Sequence, residues 1–379
     1  MVQIDLPSRH FEPRIYGVGA WTSHLHFACD LVALIKPALL VELGVDRGES
    51  YFAFCQAAAE NQTGTRCFGI DTWRGDQHAG GYDETTFAQV TRHNRDNYES
   101  FSTLQRSNFD DALSQFADES IDVLHLDGLH TEAAVRHDIE SWLPKLRPGG
   151  ILLLHDVRVR GKDFGVWKIW AELQGQRRSW TFEDGPGLGV WQKPPPSPLP
   201  EFLEELLTGP NESSSALARY YTRRAEAMQE KIAQHWRDGS IQNTPFAQQT
   251  IIQVFYSTDG SHGEEDSVYA RVGHEGWKDV RIELPPDAGT APLRIDFVSA
   301  LTTIEIGSIR LTKGGVACFT ADENTGFNAI RIGGHAERMA GHAFRFRVTD
   351  IDPQLYLPAV DLPAGDQQVI VEMQLRVTS

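Results

Sequence analysis

Apolar and amphipathic stretches alternate along the first half of the chain. Four apolar runs, at residues 38–43, 66–70, 121–126 and 150–154, have the length and continuity of strands buried on both faces. Between the last two, residues 131–146 carry apolar side chains on one helical face and end at a Pro-Gly-Gly sequence. A helix between two buried strands is typical of a crossover in a parallel sheet. The pattern therefore predicts an α/β fold with a doubly wound sheet.

The pattern changes after a proline-rich stretch at residues 194–200, Pro-Pro-Pro-Ser-Pro-Leu-Pro. Proline at this density favours an extended spacer over a helix or a sheet interior. Beyond it, short apolar runs separated by Gly, Pro and Asp turns are typical of an all-β sandwich. The predicted domains are 1–193, 194–245 as a linker with a helical segment, and 246–379 as the sandwich. The sandwich strands are predicted at residues 251–256, 280–284, 293–298, 304–311, 344–348 and 369–377.

One long helix is predicted between these two domains. Ser213–Ser215 can cap it, and apolar residues follow at spacings of mostly three and four. Its seam consists of Leu217, Tyr221, Ala225, Met228, Ile232 and either His235 or Trp236. Because about three heptads is short for a coiled coil, packing on its own domain is favoured. Homo-oligomerisation through residues 213–237 is the alternative.

The charge balance excludes several classes of partner. The 379 residues include 35 Lys and Arg against 52 Asp and Glu, a formal charge of −17 at pH 7. Nucleic acid and anionic membrane surfaces are poor partners for such a chain. No apolar run approaches the roughly 18 residues of a membrane span, and residues 1–14 lack the apolar core of a signal peptide. These features predict a cytoplasmic protein.

The four cysteines, Cys29, Cys55, Cys67 and Cys318, form no Cys-x-x-Cys pair. Three of them lie in apolar stretches, which is typical of buried free thiols. A cysteine-based zinc site is therefore not expected.

The strongest candidate site is Val41–Ser50, where a predicted strand ends in Glu42 and is followed by Gly44 and Gly48. Glycine permits a tight strand-to-helix turn and a close approach of the backbone to a ligand. The glycines do not have the spacing of a dinucleotide-binding loop. A nucleoside ligand without phosphates fits this loop better.

Further candidates follow the next predicted strands. Asp71 ends the second strand, where a doubly wound sheet presents a carboxylate to ribose hydroxyls. Trp73 could stack on the same ligand, but core packing or loop anchoring is at least as consistent with a lone aromatic. Asn108 and Phe109 could border an adenine, with a loop and helix cap as the equal alternative.

A second candidate site joins two strand ends. Asp127 and Asp156 each terminate an apolar run, and neighbouring strands lie about 5 Å apart. A hard divalent cation, Mg²⁺ or Ca²⁺, would compensate two such carboxylates, and His130 could serve as a general base. Helix-capping aspartates with a surface histidine are the alternative interpretation. His125 is expected to be structural.

Residues 15–192 resemble a class I S-adenosylmethionine-dependent methyltransferase, which has a Rossmann-like sheet. The resemblance rests on the stretches VELGVDRGES, GIDTWRGD, SIDVLHLDGLHTEAAVRHDIESWLPKLRPGGILLLHD, FGVW and GLGVW. Within that class they look most like the macrocin-type, metal-dependent sugar O-methyltransferases and related enzymes of bacterial polysaccharide clusters.

The resemblance implies a role for each motif. Glu42, Gly44, Gly48 and Ser50 would line the methionine and ribose side of S-adenosylmethionine, with Asp71 on the ribose hydroxyls. Asp127 and Asp156 would bind Mg²⁺ with His155 beside them, and His130 would be the base. The sequence departs from the family at Glu132, where an aromatic residue is favoured, and at position 155, where an acid would be a better ligand for a hard ion.

The implied acceptor is a sugar or polysaccharide hydroxyl, and residues 72–100 could form a lid over it or an ordinary surface insertion. The C-terminal part faintly resembles small β-domains of glycan-building enzymes, through residues 276–285 and 293–296. Trp277 or Tyr356 could stack on a sugar there, although such residues are more often in the core. Two other functions stay open: a non-catalytic scaffold of a glycan pathway, and methylation of a small non-sugar metabolite.

Overall fold

The computed structural model describes residues 5–76, 80–81, 84–160, 163–175, 178–238, 249–256, 267–273, 276–286, 288, 291–298, 303–339 and 344–378. The chain forms two compact units. The first contains residues 1–73 and 86–233, and the second contains residues 74–85 and 234–379.

The described helices and strands, numbered in chain order, have the following bounds. The helices are α1 (Leu25–Ile35), α2 (Glu49–Glu60), α3 (Glu84–Asn97), α4 (Phe109–Ala112), α5 (Glu132–Trp142), α6 (Val166–Gln174), α7 (Glu201–Leu207) and α8 (Glu212–Asp238). The strands are β1 (Leu39–Leu43), β2 (Arg66–Asp71), β3 (Gly75–Asp76), β4 (Gly80–Gly81), β5 (Ser102–Arg106), β6 (Ile121–Leu126), β7 (Leu146–His155), β8 (Ser179–Phe182), β9 (Leu188–Gln192), β10 (Gln249–Phe255), β11 (Ser267–Gly273), β12 (Lys278–Leu284), β13 (Arg294–Val298), β14 (Thr303–Lys313), β15 (Val316–Asp322), β16 (Arg331–Arg338), β17 (Phe344–Tyr356) and β18 (Val369–Thr378).

The first unit is built on a seven-stranded sheet in the order β5-β2-β1-β6-β7-β9-β8. The five strands from β5 to β7 run parallel, whereas β9 is antiparallel to both of its neighbours. Every residue of β1 is buried, as expected for a central strand of a covered sheet. The predicted doubly wound α/β sheet is confirmed, and the direction of strand order reverses at β1.

The predicted helix over residues 131–146 is four residues too long. α5 ends at Trp142, and Leu146 already pairs with Ile121 as the first residue of β7. Pro144 explains the early end, because the ring of a proline is incompatible with the helix preceding it. The periodic pattern continued past this point because Leu146 is as buried in the sheet as it would be on the helix.

The proline-rich stretch does not separate the two units. Ser197 lies against the backbone of β7, where Gln192 Nε2 donates to the carbonyls of Gly149 and Ser197 at 3.0 and 2.9 Å. α7 and α8 as far as Ala233 then belong to the first unit, so the division falls within the last turns of α8. The sequence predicted an earlier division, at the prolines. A high density of proline indicates a stiff backbone, but it does not indicate which surface the segment contacts.

α8 packs on its own unit through the predicted seam. Leu217, Tyr221, Ala225 and Met228 are buried, and the Tyr221 hydroxyl donates to Asp30 Oδ2 at 2.8 Å. Ser8 donates to the same carboxylate from its backbone and its hydroxyl, at 2.7 and 2.6 Å. The side chains of His235 and Trp236 lie outside the described residues. These contacts are those of a helix packed on its own domain, and oligomerisation stays a prediction.

The second unit is all-β, as predicted. Strands β10 to β18 form a connected antiparallel network in the order β11-β10-β13-β17-β14-β18-β12, with β15 paired to β14 and β16 to β17. The long β17 pairs with β14 through residues 344–347 and with β13 through residues 354–356. Alternate residues point into one core, as the pattern in β18 illustrates with every second residue buried.

Other predictions concern the thiols and the membrane. Cys29, Cys55 and Cys67 are buried free thiols, as expected, and Cys318 is half-buried and free. Within the described residues, the helices are all too short or too polar to cross a membrane.

Asp30 makes the docking of α8 pH-dependent. Burial raises the pKa of its carboxyl to about 6, although hydrogen bonds from Ser8 and Tyr221 act in the opposite direction. When the pKa of a group is higher in the folded state, stability is greatest at pH values below its pKa in the unfolded state. Stability then falls as pH rises through its pKa in the folded state. Asp30→Asn should therefore gain stability relative to the natural chain between pH 4 and 6, by up to about 3 kcal/mol. Urea unfolding at several pH values measures this difference, and the exposed Asp5→Asn is the control.

Candidate functional site

The carboxyl edge of the sheet at β1 is the point where strand order reverses. Ligands of doubly wound sheets bind in the crevice at such a point, because the connections on its two sides leave in opposite directions. The loop between β1 and α2 crosses this edge with three residues of positive φ, Gly44 (89°), Asp46 (49°) and Gly48 (80°). Glycine is the residue that adopts this conformation without strain.

Gly44 allows two strand ends to meet. Its amide donates to the Ile70 carbonyl at 2.9 Å, and the Asp127 amide donates to the Leu43 carbonyl at 2.8 Å. A Cβ at position 44 would overlap the carbonyl oxygen of Asp127. Gly44, which was predicted to let the backbone approach a ligand, thus also allows the close contact between the ends of β1 and β6.

Asp71 fastens the same loop from the neighbouring strand. Its Oδ2 accepts hydrogen bonds from the amides of Val45 and Asp46 at 2.8 and 2.9 Å, and its Oδ1 accepts one from Trp73 at 2.7 Å. Burial raises the pKa of the carboxyl, while these three backbone donors favour its charged form. Asp71 therefore lies at the predicted position and also holds the shape of the loop.

Trp73 is enclosed by protein. Its side chain is 1% exposed, and the indole Nε1 donates to the Asp46 carbonyl at 2.8 Å. Its ring centroid lies 4.9 Å from that of Phe87. These contacts are those of a loop anchor, so in this structure the ring has no exposed face on which a ligand could stack.

Glu42 and Ser50 bond to each other in the interior. The Ser50 hydroxyl donates to Glu42 Oε1 at 2.7 Å, and His125 Nδ1 lies 3.3 Å from Glu42 Oε2. Trp21 Nε1 donates to His125 Nε2 at 3.2 Å. Burial raises the pKa of the Glu42 carboxyl, which is fully enclosed. The pair supports the loop from beneath, and His125 has the structural role that was expected.

Sequence reasoning missed Glu49, the first residue of α2. Its buried carboxylate accepts hydrogen bonds from the amides of Gly17 and Trp21 at 2.5 and 2.9 Å, and from the Thr22 hydroxyl. It thereby fastens residues 17–22 against the helix that follows the glycine loop. The sequence signal was weak, since an acid in the first helical turn usually serves the helix dipole.

Asn108 and Phe109 lie at the start of α4. Asn108 is exposed, and its Nδ2 donates to Asp111 Oδ2 at 3.2 Å. The half-buried Phe109 ring lies against Gly128, where an added Cβ would be 2.5 Å from Cε2 of the ring. Phe109 therefore borders the turn that carries Asp127, while Asn108 makes the local helix-start contact that was its alternative interpretation.

The second candidate site forms a tight cluster of two carboxylates and two imidazoles. His130 Nε2 lies 2.8 Å from Asp156 Oδ2 and 3.4 Å from Asp127 Oδ1. His155 Nδ1 lies 3.3 Å from Asp127 Oδ1 and 3.4 Å from Asp156 Oδ2. Asp127, His130 and Asp156 offer ligand atoms that all lie within 4.8 Å of one another. β6 and β7 are adjacent, which brings their terminal acids together as predicted.

The cluster is a partly buried electrostatic network. Burial opposes ionisation of both aspartates, but the charge of His155 and hydrogen bonds from both histidines lower the pKa of each carboxyl. Burial likewise opposes protonation of His130, but its bonds to Asp127 and Asp156 raise its pKa to about 10. The two carboxylates also raise the pKa of His155 against the effect of its burial. Two negative and two positive charges thus compensate one another.

The segment before α6 covers His130. The rings of His130 and Phe164 stack with centroids 4.7 Å apart and planes at 6°. The Gly165 amide donates to the His130 carbonyl at 2.8 Å, and a Cβ at Gly165 would overlap Glu132. The motif FGVW therefore positions the imidazole. Glu132, one of the departures from the resembled family, is half-exposed and pairs with Lys168 at 2.7 Å.

Residues 41–157 match a family model described as a methyltransferase domain. This part of the chain is a methyltransferase domain. Over 196 residues, 51% of the chain, the sequence is 43% identical to the uncharacterized protein y4gI of Sinorhizobium fredii. The chain spans only 21% of the length of that relative.

Solved structures with a similar fold come from several bacteria. One is a methyltransferase from Geobacter sulfurreducens, 18% identical, with 45% of this chain and 78% of that chain covered and a TM-score of 0.34. Another is a putative caffeoyl-CoA O-methyltransferase from Staphylococcus aureus, 15% identical, with 45% and 82% covered and a TM-score of 0.36. A third is the O-methyltransferase TomG from Streptomyces achromogenes, 12% identical, with 46% and 89% covered and a TM-score of 0.34.

The methyltransferase domain contains both candidate sites. The glycine loop, Asp71 and the Asp127–Asp156 cluster all fall within or beside residues 41–157. Parts of the predicted lid at residues 72–100 lie outside the described residues, including His78 and Tyr82. The described remainder contains α3, so a lid function stays a prediction.

Gly44→Ala should disrupt the methyltransferase domain. The added Cβ would overlap the Asp127 carbonyl, and φ at position 44 is 89°. We expect a loss of about 3 kcal/mol or more in the free energy of unfolding, or no folded protein. Gly64→Ala is the matched control, because Gly64 also has a positive φ of 75° but nothing lies within 4 Å of the added Cβ. Equal losses in urea unfolding of the two variants would contradict the close contact at Gly44.

Proposed function

We propose that this chain is an S-adenosylmethionine-dependent O-methyltransferase that methylates a sugar hydroxyl of a glycan or glycosylated metabolite. The observation that carries the proposal is the position of the Asp127, His130, His155 and Asp156 cluster at the strand ends beside the glycine loop of a methyltransferase domain. The acceptor class rests on the sequence resemblance to sugar O-methyltransferases.

The residues at the edge of β1 suit the cofactor. S-adenosylmethionine supplies an electrophilic methyl group on a positively charged sulfur. The loop from Gly44 to Gly48 would hold its methionine and ribose side, with Asp71 near the ribose and Phe109 near the adenine. The backbone around Asp46 turns with positive φ over this edge, where a doubly wound sheet binds its ligands.

The cluster also suits a divalent cation. Asp127, Asp156 and His155 would hold it, since two carboxylate oxygens and one imidazole nitrogen converge within hydrogen-bonding distances. Such an ion, when bound, polarises a hydroxyl oxygen and lowers its pKa. The sequence predicted Mg²⁺ at this position.

His130 is the proposed general base. Its Nε2 would accept the proton of the acceptor hydroxyl while the oxygen attacks the methyl carbon. The methyl–sulfur bond breaks in the same step, its electron pair stays on sulfur, and S-adenosylhomocysteine leaves. Phe164 holds the ring in plane by stacking, which leaves Nε2 directed toward the carboxylates. The charges of Asp127 and Asp156 raise the pKa of His130 to about 10, so their compensation by a cation removes the cause of that rise. A neutral Nε2 is then available.

Calorimetric titration with S-adenosylmethionine and turnover on a panel of oligosaccharides test the proposal together. We expect one-site binding to the natural chain and to His130→Ala with dissociation constants within about threefold, since the groups proposed to hold the cofactor are the Gly44–Gly48 loop, Asp71 and Phe109. Turnover of His130→Ala should fall by about 10²–10⁴-fold, the usual contribution of a general base. The exposed His137→Ala is the control.

The outcomes separate the alternatives. Absence of S-adenosylmethionine binding would contradict the enzymatic proposal and favour the scaffold hypothesis. Binding with methylation of small non-sugar acceptors alone would overturn the acceptor class. Unchanged turnover of His130→Ala would remove His130 from the mechanism.

A second function, sugar binding by the second unit, is favoured by the exposure of Trp277. Its side chain is 44% exposed, and its ring lies against Gly307, where β14 shifts register between Ile306 and Ser308. The Arg376 guanidinium lies 5.0 Å from the ring centroid. Aromatic rings on polar surfaces stack on the apolar faces of sugars. Tyr356 is half-buried, and Arg331 lies 4.2 Å from its ring, so it is the weaker candidate.

Trp277→Ala should weaken glycan binding without unfolding the second unit, because 44% of the side chain is exposed. Affinity electrophoresis in gels that contain bacterial polysaccharides measures the retardation. The control is Val316→Ala, the other large apolar side chain among those described with high exposure, at 55%. Equal migration of the natural chain, Trp277→Ala and Val316→Ala in every polysaccharide would rule out this role for Trp277.

A further inference from the structure

The donor atoms of the cluster alternate between oxygen and nitrogen. Around the ring the order is Asp127 Oδ1, His155 Nδ1, Asp156 Oδ2 and His130 Nε2. The four consecutive separations are 3.3, 3.4, 2.8 and 3.4 Å. Without His130, the proposed base, the remaining three atoms are two carboxylate oxygens and one imidazole nitrogen.

These separations match those of atoms that share one metal ion. Two ligands about 2.1 Å from an ion are about 3.0 Å apart at a right angle and about 3.4 Å apart at a tetrahedral angle. The two separations from His155 Nδ1 to the aspartate oxygens, 3.3 and 3.4 Å, therefore fit a common ion without a rearrangement of the strands.

The position of the His155 side chain is fixed by burial and by contacts with neighbouring rings. It is the last residue of β7, is 2% exposed, and its ring lies 5.8 Å from that of His24 and 6.1 Å from that of Trp21. Its Nε2 is buried with no hydrogen-bond partner in the part of the chain that the structure describes. The polar contacts of this buried ring are thus made at Nδ1, toward the two carboxylates.

The backbone of Asp156 supports the same geometry. Asp156 has a positive φ of 61°, which is uncommon for a residue other than glycine. Such strain at a single residue is characteristic of functional sites. Here it lets two consecutive residues, His155 and Asp156, turn their side chains to the same centre, whereas consecutive residues of a regular strand point to opposite faces.

We propose that the cation held by Asp127, Asp156 and His155 is a first-row transition metal and that the site discriminates against Mg²⁺. Mg²⁺ prefers an all-oxygen octahedron, whereas imidazole nitrogen suits first-row ions such as Fe²⁺, Ni²⁺ and Zn²⁺. The catalytic role of the metal rests on the proposed function. The identity of the metal does not, since it is inferred from the ligand atoms alone. It also leaves His130 outside the ligand set, as the group that takes the proton.

The test measures binding and coordination by the full chain. Mn²⁺ binding is followed by the loss of the free-ion electron paramagnetic resonance signal, with and without competing Mg²⁺. We expect Mn²⁺ to bind on the order of 100-fold more tightly than Mg²⁺. Pulsed electron paramagnetic resonance of the bound Mn²⁺ should reveal hyperfine coupling between the ion and the ¹⁴N nucleus of a directly coordinated imidazole. This readout does not depend on turnover.

Variants assign that nitrogen. His155→Asp should lose the ¹⁴N coupling and reduce the preference for Mn²⁺ over Mg²⁺ by at least about tenfold, because it replaces nitrogen with a hard oxygen donor. His130→Ala should keep the coupling. His137→Asp is the matched control. His137 also contacts an aspartate, Asp110, but its side chain is exposed and the contact lies outside the cluster. It should leave both readouts unchanged.

Several outcomes would overturn the inference. They are equal or tighter binding of Mg²⁺, the absence of ¹⁴N coupling in the natural chain, or loss of the coupling in His130→Ala. If His155→Asp does not fold, the natural chain and His130→Ala still decide the question. Nitrogen-coordinated Mn²⁺ in a chain that neither binds S-adenosylmethionine nor methylates any acceptor would refute the proposed function and leave the metal assignment intact.

Discussion

The close contact between the ends of β1 and β6 is the constraint on which the first unit depends. Gly44 has no side chain, so the loop after β1 can lie on the carbonyl of Asp127 while its amide bonds to β2. This contact brings together the loop held by Asp71 and the strand end that carries Asp127. The cofactor edge and the charged cluster are neighbours because two backbones meet where any larger residue would separate them.

Charge compensation is the second constraint on the site. Asp127 and Asp156 follow the ends of adjacent parallel strands, and two neighbouring carboxylates that are largely removed from water repel each other unless cationic groups compensate them. His130 and His155 supply that compensation in this structure. A proton on an imidazole and a divalent cation are alternative ways to balance the same carboxylates. The arrangement therefore suits both metal binding and transfer of a proton from an acceptor.

Buried acids outside the cluster hold the surrounding framework. Glu42 joins the first strand to Ser50 on α2, Glu49 fastens residues 17–22, and Asp30 accepts hydrogen bonds from Ser8 and Tyr221 of α8. Each of these acids has a partner that is distant in sequence, and Glu49 also occupies a first-turn helix position where an acid is common. Such contacts connect the N-terminal segment to α1 and α2, and the last helix of the unit to α1. They explain why the first unit extends past the proline-rich stretch.

The sequence by itself determined the α/β sheet of the first unit, the all-β character of the second and the strand ends at which Glu42, Asp71, Asp127 and Asp156 lie. Apolar periodicity and strand termini are local properties, so a single chain displays them directly. Only the tertiary structure decided that Trp73 anchors a loop, that α8 as far as Ala233 belongs to the first unit, and that His155 turns toward both aspartates. The physical reason is that the direction of a side chain and the identity of its partners depend on which distant backbones meet. The pattern along the chain does not contain those contacts.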